Sequence, residues 1–294
     1  MGGKRILVSG MGGELGTRVA ALLEEQPWVG EVVGVDVDPH HVVHLGVYEP
    51  NARSTPTSAA VRTEAAAVAV LGAAVECPSL EAMVVRSGIE VYGRRRGAVA
   101  RPDESVAPDP TSPFGCSLLA MEEIAVDAGR ASGRPVTLLR FAPVIGPHVA
   151  SPLGRYLRLP VVPLALLADP PFTLLHVQDA AEAVVAAARS GVDGPLNVVA
   201  AGAVTPLQAV RLGGRLPVPV AGPPAWLARA VAELAGAPAP GHLVELLTRG
   251  RVADGGRAAA ALGIEPSLTT TEVVKELFRW ASVTHLRPAV DEVA

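Results

Sequence analysis

The chain has 294 residues, room for one large domain or a large and a small one, and 49% of them are hydrophobic, enough for a substantial core. A formal charge of −4 offers no basic face to follow a phosphate backbone, which argues against nucleic acid as a partner. Two cysteines, Cys77 and Cys116, cannot build a disulfide framework, no Cys/His spacing resembles a zinc site, and the expected compartment is the reducing cytoplasm.

In chain order, the opening "MGGKRILVSG" has one apolar run, too short for a signal sequence, and the longest apolar stretch elsewhere, 157–168, is broken by Arg158, Pro160 and Pro163. No membrane span is expected. Short β-branched runs bounded by turn residues predict strands over 5–8, 31–35, 42–45, 83–85, 136–139 and 196–199. Helical segments are predicted between them over 15–25, 59–75, 117–131 and 180–189. Alternation of apolar strands with helices predicts an α/β fold, a Rossmann-like doubly wound parallel sheet.

After about Gly146 the pattern becomes Pro-rich, with helices in "PPAWLARAVAELAG", "PGHLVELLTRG" and "TTTEVVKELFRWAS", which predicts a small C-terminal lobe. A large α/β domain, which the glycine motif after its first strand marks as dinucleotide-binding, is therefore expected over 1–146 plus about 174–200. The small, substrate-type lobe is expected over about 147–173 plus 201–294.

The first strand runs directly into "GMGGELG" and a helix. Gly10 permits the tight turn, Gly13 lets the backbone approach a pyrophosphate, and Gly16 allows close helix–strand packing, while the helix N-terminus supplies unpaired N–H groups. Asp36, about twenty residues on, ends the second strand, where its carboxylate can bind ribose hydroxyls and favours NAD over NADP.

These motifs, with "VVHLG" at 42–46, "VYG" at 91–93, "SPFGCSLLAMEE" at 112–123, "LLRFAPVIGP" at 138–147, "LLHVQDAAEAV" at 174–184 and "GPLNVV" at 194–199, stand in the order of the extended short-chain dehydrogenases/reductases. The chain resembles their NAD-dependent epimerase/dehydratase family, typified by sugar-nucleotide epimerases, over nearly its whole length. The resemblance implies cofactor contacts at Gly10, Gly13, Glu14, Leu15, Gly16, Asp36, Leu45 and Gly46, and no metal. It also implies a nucleotide-sugar-like ligand and a homodimer through a four-helix bundle of the two central helices.

The resemblance breaks at the reaction centre. It implies a Tyr and, four residues later, a Lys on one helix, with a Ser or Thr before the "VYG" turn; here those positions hold Phe114, Leu118 and Gly88. Losing the proton acceptor forfeits about 10²–10⁴-fold in rate, and ribose positioning is lost as well. Ser87 and Ser117 each stand one residue from a vacated position, Tyr92 is read as structural, and Cys116 has no His partner. His176 is read as structural and Asp179 as a helix N-cap. His40, His41 and His44 are rejected as a metal cluster. No catalytic residue is assigned.

Two further departures follow. Between Asp36 and "VVHL" only "VDPHH" intervenes, where the family places a helix, a third strand ending in an adenine-contacting Asp, and another helix. The third strand is expected to be missing, with the second left at the sheet edge, or else 41–45 to be displaced. Pro143 stands where relatives carry an Asn for the nucleotide-sugar; Arg155 and Arg158 either meet a diphosphate or lie on a helix surface. The leading expectation is a non-catalytic relative that holds NAD weakly or has lost it and acts by binding or assembly, with itself or a protein partner. The alternative is an active NAD-dependent epimerase, dehydratase or reductase with an acid/base at a non-standard residue.

Overall fold

Each β-branched run becomes a strand of one six-stranded parallel sheet in the computed structural model, which describes residues 3–34, 38–50, 55–223, 226, 229–231 and 239–279. The strands are β1 (Lys4–Ser9), β2 (Val29–Val33), β3 (His41–His44), β4 (Ala82–Gly88), β5 (Val136–Phe141) and β9 (Gly194–Val198), in spatial order β2-β1-β3-β4-β5-β9. Successive residues Val42 and Val43, Met83 to Val85, and Leu138 and Leu139 are all buried, as strands covered on both faces must be.

Helix α1 (Glu14–Glu24) packs against α5 (Val177–Ser190), and α2 (Pro56–Val75) against α3 (Pro113–Ser132). Helices α2 and α3 begin earlier than the periodicity predicts, because Pro56 and Pro113 each occupy the first turn, where a missing N–H costs nothing, behind the N-caps Thr55 and Ser112. Helix α5 is capped by His176, whose ring accepts from the Gln178 N–H at 3.3 Å. Asp179 lies inside the first turn, bonded to the backbone and hydroxyl of Ser267 at 2.9 and 2.7 Å, which corrects its reading as the cap.

The expected loss of the third strand holds among the described residues: β2 is the sheet edge and β3 follows β1. Register explains how so short a link suffices. Ile6 of β1 faces Val32 of β2 on one side and His41 of β3 on the other, so β3 begins level with the end of β2. The chain must then cross only two strand spacings, about 9–10 Å, with no return along the strand length and no crossover helix.

A second apolar cluster gathers Tyr156 and Leu157 of α4 (Pro152–Leu157), Val162 and Leu164 of β7 (Val161–Ala165), Leu246 of α7 (Gly241–Arg249), and Val273 and Leu277 of α9 (Thr270–Arg279). Strand β7 pairs in parallel with β10 (Leu216–Val220), and β6 (Val144–Ile145) with β8 (Leu175–His176). Strands β7 and β10 are unreadable in the sequence because Pro163, Pro217 and Pro219 interrupt them; a two-stranded ribbon is all edge, where proline is tolerated. Helix α6 (Pro206–Leu212) leads into β10, and α8 (Gly256–Leu262) sends Ala258 and Leu262 into the large cluster beside α5. Most of the segment "PPAWLARAVAELAG" and the chain end after Arg279 lie outside the described residues.

Among the described residues one helix, α2, is long and apolar enough to cross a membrane. It turns Ala59, Thr63, Ala67, Leu71 and Ala74 onto the protein, the pattern of a helix packed against a domain.

Candidate functional site

The glycine turn closes on itself and on β3. Gly10 has φ +83°, and a Cβ there would meet the Leu45 carbonyl carbon at 3.0 Å and the Gly46 nitrogen at 3.2 Å, so Gly10, Leu45 and Gly46 come together at the strand ends. A Cβ on Gly16 would lie 2.2 Å from the Gly10 oxygen, whereas one on Gly12 would meet nothing within 4 Å. Helix α1 is capped by Gly13, which has no side chain to bond its first N–H groups, and among the described residues no other side chain bonds them. An open glycine cradle at an uncapped helix end fits a diphosphate. Leu15 is buried in the core and contributes only backbone, and Glu14 is paired with Arg18 at 2.8 Å. Asp36 lies outside the described residues.

A cleft of about 580 Å³, including the part open to solvent, lies at the carboxyl ends of β4 and β5. Phe114 and Leu118 of α3, Gly88 of β4 and Pro143 after β5 all face it. The Phe114 ring packs on the His242 ring of α7, centroids 4.7 Å apart and tilted 40°. At Gly88 a Cβ would meet Glu90 Oε2 at 2.3 Å and Leu118 Cδ1 at 3.1 Å, so the space of the family's Ser or Thr is taken by the Glu90 carboxylate.

The cleft is not only hydrocarbon. His242 Nε2 lies 2.8 Å from Glu49 Oε1. Glu90 Oε1 pairs with Arg251 Nη1 at 3.1 Å, and Arg251 reaches Glu245 at 3.3 Å. Arg86 lines the cleft as well; burial lowers its guanidinium, with Glu49 and Glu90 opposing. Sequence reasoning missed these four lining groups, Glu49, Arg86, Glu90 and His242. The available signal was the charged Arg86 inside the β-branched run "MVVRSG"; nothing in sequence joins Glu49 to a histidine 193 positions away.

Behind the cleft runs a buried polar chain. The Ser87 hydroxyl donates to Glu122 at 2.5 Å, Arg140 grips Glu122 at 2.9 and 2.6 Å, and Arg140 Nη1 donates to the Tyr92 hydroxyl at 2.9 Å, which donates to Asn197 at 2.9 Å. Tyr92 is thus structural, its phenol pushed up by burial with Arg140 opposing. Ser117 donates to the Phe114 carbonyl at 2.9 Å, Cys116 is an exposed thiol and Cys77 is half-buried. Arg158, half-buried just past α4, donates to the Leu277 carbonyl at 3.1 and 3.3 Å, and Arg155 is exposed on α4.

Against known proteins, residues 31–201, more than half of the chain, match the family described as the NAD dependent epimerase/dehydratase family. The uncharacterized protein Rv0501 of Mycobacterium tuberculosis is 35% identical over 237 residues, which cover 76% of this chain and 60% of that protein, so this chain spans less than two thirds of the relative's length. Among solved structures, the UDP-glucuronic acid 4-epimerase of Bacillus cereus, in complex with UDP-glucuronic acid and NAD, superposes with a TM-score of 0.70 at 17% identity, covering 94% of this chain and 98% of that one. The UDP-glucose 4-epimerase of Thermotoga maritima, with UDP-glucose, gives 0.71 at 20% identity, covering 94% and 97%. The fold of this chain is theirs, and by its sequence match the chain belongs to the NAD dependent epimerase/dehydratase family.

Proposed function

We propose that this protein acts by binding, holding NAD and a small polar ligand without the tyrosine–lysine hydride chemistry of its family. One observation carries the reading: Phe114, Leu118 and Gly88 line a single cleft, and the Glu90 carboxylate already fills the space that a side chain on residue 88 needs. Gly10, Gly13, Leu15 and Gly16 would hold the diphosphate by backbone groups, with Leu45 and Gly46 beside them and Asp36 at the ribose. The hydride transfer that NAD can supply would need a proton acceptor at position 114, which Phe114 is not. On the nicotinamide side this chain offers the ribose no Lys, and on the adenine side no third strand stands among the described residues, so affinity is weak.

Calorimetric titration is expected to give an NAD Kd of roughly 10⁻⁴–10⁻³ M, and incubation with UDP-glucose or UDP-glucuronic acid to give no epimer. Restoring Phe114→Tyr, Leu118→Lys and Gly88→Ser together is expected to leave turnover undetectable, because the new side chain at position 88 must displace a carboxylate tied to Arg251. Epimer formation by the parent chain overturns the reading.

The second reading is an NAD-dependent enzyme on a nucleotide-sugar, and it is favoured by the imidazole of His242, oriented by Glu49 and lying against the ring at the tyrosine position. It requires that any turnover found be abolished by His242→Gln.

Two lobes, 1–146 plus about 174–200 and about 147–173 plus 201–294, belong to the proposal, supported by two separate apolar clusters, although Ala253, Ala258 and Leu262 of the second lobe pack in the first cluster and Ile145 and Leu174 of the first in the second. So do a cytoplasmic location, supported by two free thiols, and a homodimer. Helix α2 carries Val61, Ala65, Val68 and Gly72 along one exposed face, with Val61 and Val68 59% and 58% exposed. In sedimentation the protein is expected to run as a dimer and Val68→Glu as a monomer; a monomeric parent chain overturns the assignment.

A further inference from the structure

Every other buried or half-buried charge around the cleft has a partner. Glu122 has Arg140, Arg251 has Glu90 and Glu245, and His242 has Glu49. Arg86 differs. Among the described residues its guanidinium donates no hydrogen bond and makes no direct ion pair, although it lines the cleft and the Glu49 and Glu90 carboxylates act on its charge. Across the same cleft Glu90 Oε2 accepts no hydrogen bond from the described residues; Arg251 takes only Oε1. Glu49 and Glu90 act on that charge, but a half-buried guanidinium whose N–H groups have no hydrogen-bond acceptor among the described residues is incompletely satisfied.

We propose that Arg86 is the anchor for the carboxylate of a hydroxylated carboxylic acid, a sugar acid being the simplest form, with a hydroxyl of the same molecule donating to Glu90 Oε2. The fork of N–H groups on Arg86 matches a carboxylate in two parallel bonds, and the Glu90 Oε2 that no described group occupies suits a hydroxyl donor. A monoanion is favoured over a phosphate because Glu49 and Glu90 already share the cleft with the Arg86 guanidinium, and a dianion would meet these carboxylates with twice the charge. This inference rests on the reading above for the cleft being a ligand site.

The test is calorimetric titration of the full chain with D-glucuronate, its methyl ester and D-glucose. Glucuronate is expected to bind about tenfold or more tightly than either neutral compound, as a charge-assisted bidentate pair requires. Arg86→Gln is expected to remove that preference. Arg86→Lys, which keeps the charge but not the fork and guards against a folding failure of the first variant, is expected to reduce it. Equal binding of the three compounds, binding of none, or a preference that survives both variants overturns the proposal, and so does inorganic phosphate competing as well as glucuronate. Turnover of a UDP-sugar with the preference intact would instead overturn the binding reading and leave the Arg86 anchor standing.

Discussion

Replacing Arg140 with Leu is expected to lower unfolding stability by about 3–5 kcal/mol, the range for removing one partner of a buried ion pair. The Arg140 and Glu122 side chains are only 5% and 4% exposed, and three of the four bonds that tie Ser87, Glu122 and Tyr92 together come from the Arg140 guanidinium. Without it, Glu122 keeps only the Ser87 hydroxyl, and an ionised carboxylate in that setting is far from satisfied. Urea unfolding should show a lower midpoint at unchanged slope. The double variant Arg140→Leu with Glu122→Leu should recover much of the loss, since an apolar pair of similar volume leaves no orphaned charge. A loss under about 1 kcal/mol for the single variant would show that the pair does not hold the site. The consequence for function is direct. Tyr92 ends the turn Ile89–Tyr92 that carries Glu90, so loosening the network beneath should loosen the carboxylate that fills the space beside Gly88.

That network marks the boundary of what the sequence displays. The large sheet was legible because β-branched runs of strand length stood between helices, and even the missing strand could be seen as a gap too short for a crossover. The register that makes the gap workable, Ile6 shared by Val32 and His41, depends on stagger between strands, which no linear pattern encodes. That Phe114, Leu118 and Gly88 stand where the resemblance implies Tyr, Lys and Ser or Thr was legible from position alone. What replaced them was not. Arg86 and Arg140 sit in apolar strands, and Glu122 in an Ala-rich helix, where each reads as one more odd residue; only folding brings Ser87, Glu122, Arg140, Tyr92 and Asn197 into one chain. His242 and Glu49 belong to opposite ends of the sequence. The prolines of β7 and β10 hid strands for the converse reason, since an edge tolerates what a central strand does not.

Acid should weaken this protein through His44. The imidazole is fully buried at the end of β3, its Nδ1 is 2.7 Å from the Ser9 hydroxyl and its Nε2 has no partner among the described residues, and burial pushes it down to about 4. The unfolded chain binds a proton near pH 6.5 and the folded one does not until about pH 4. Folded pKa lies below unfolded pKa, so the contribution is complete above about pH 6.5 and is lost as pH falls toward 4, a total of about 3 kcal/mol at 1.36 kcal/mol per unit. His41, lowered by burial with Glu81 opposing, and His176, lowered by burial with Asp179 opposing, act in the same direction. Unfolding stability measured in urea at about pH 7, 5.5 and 4.2 should therefore fall steeply, and His44→Gln should flatten the part of the fall due to His44; an identical slope in both proteins would sink the assignment. The place of this histidine gives the effect a second readout. Ser9 and His44 tie the ends of β1 and β3 directly beneath the contact of Gly10 with Leu45 and Gly46, and a Cβ on Gly46 would already press the His44 ring at 3.1 Å. Charging that ring asks the two strand ends to part where the glycine turn must stay closed, so NAD affinity should fall over the same pH range and do so less in His44→Gln.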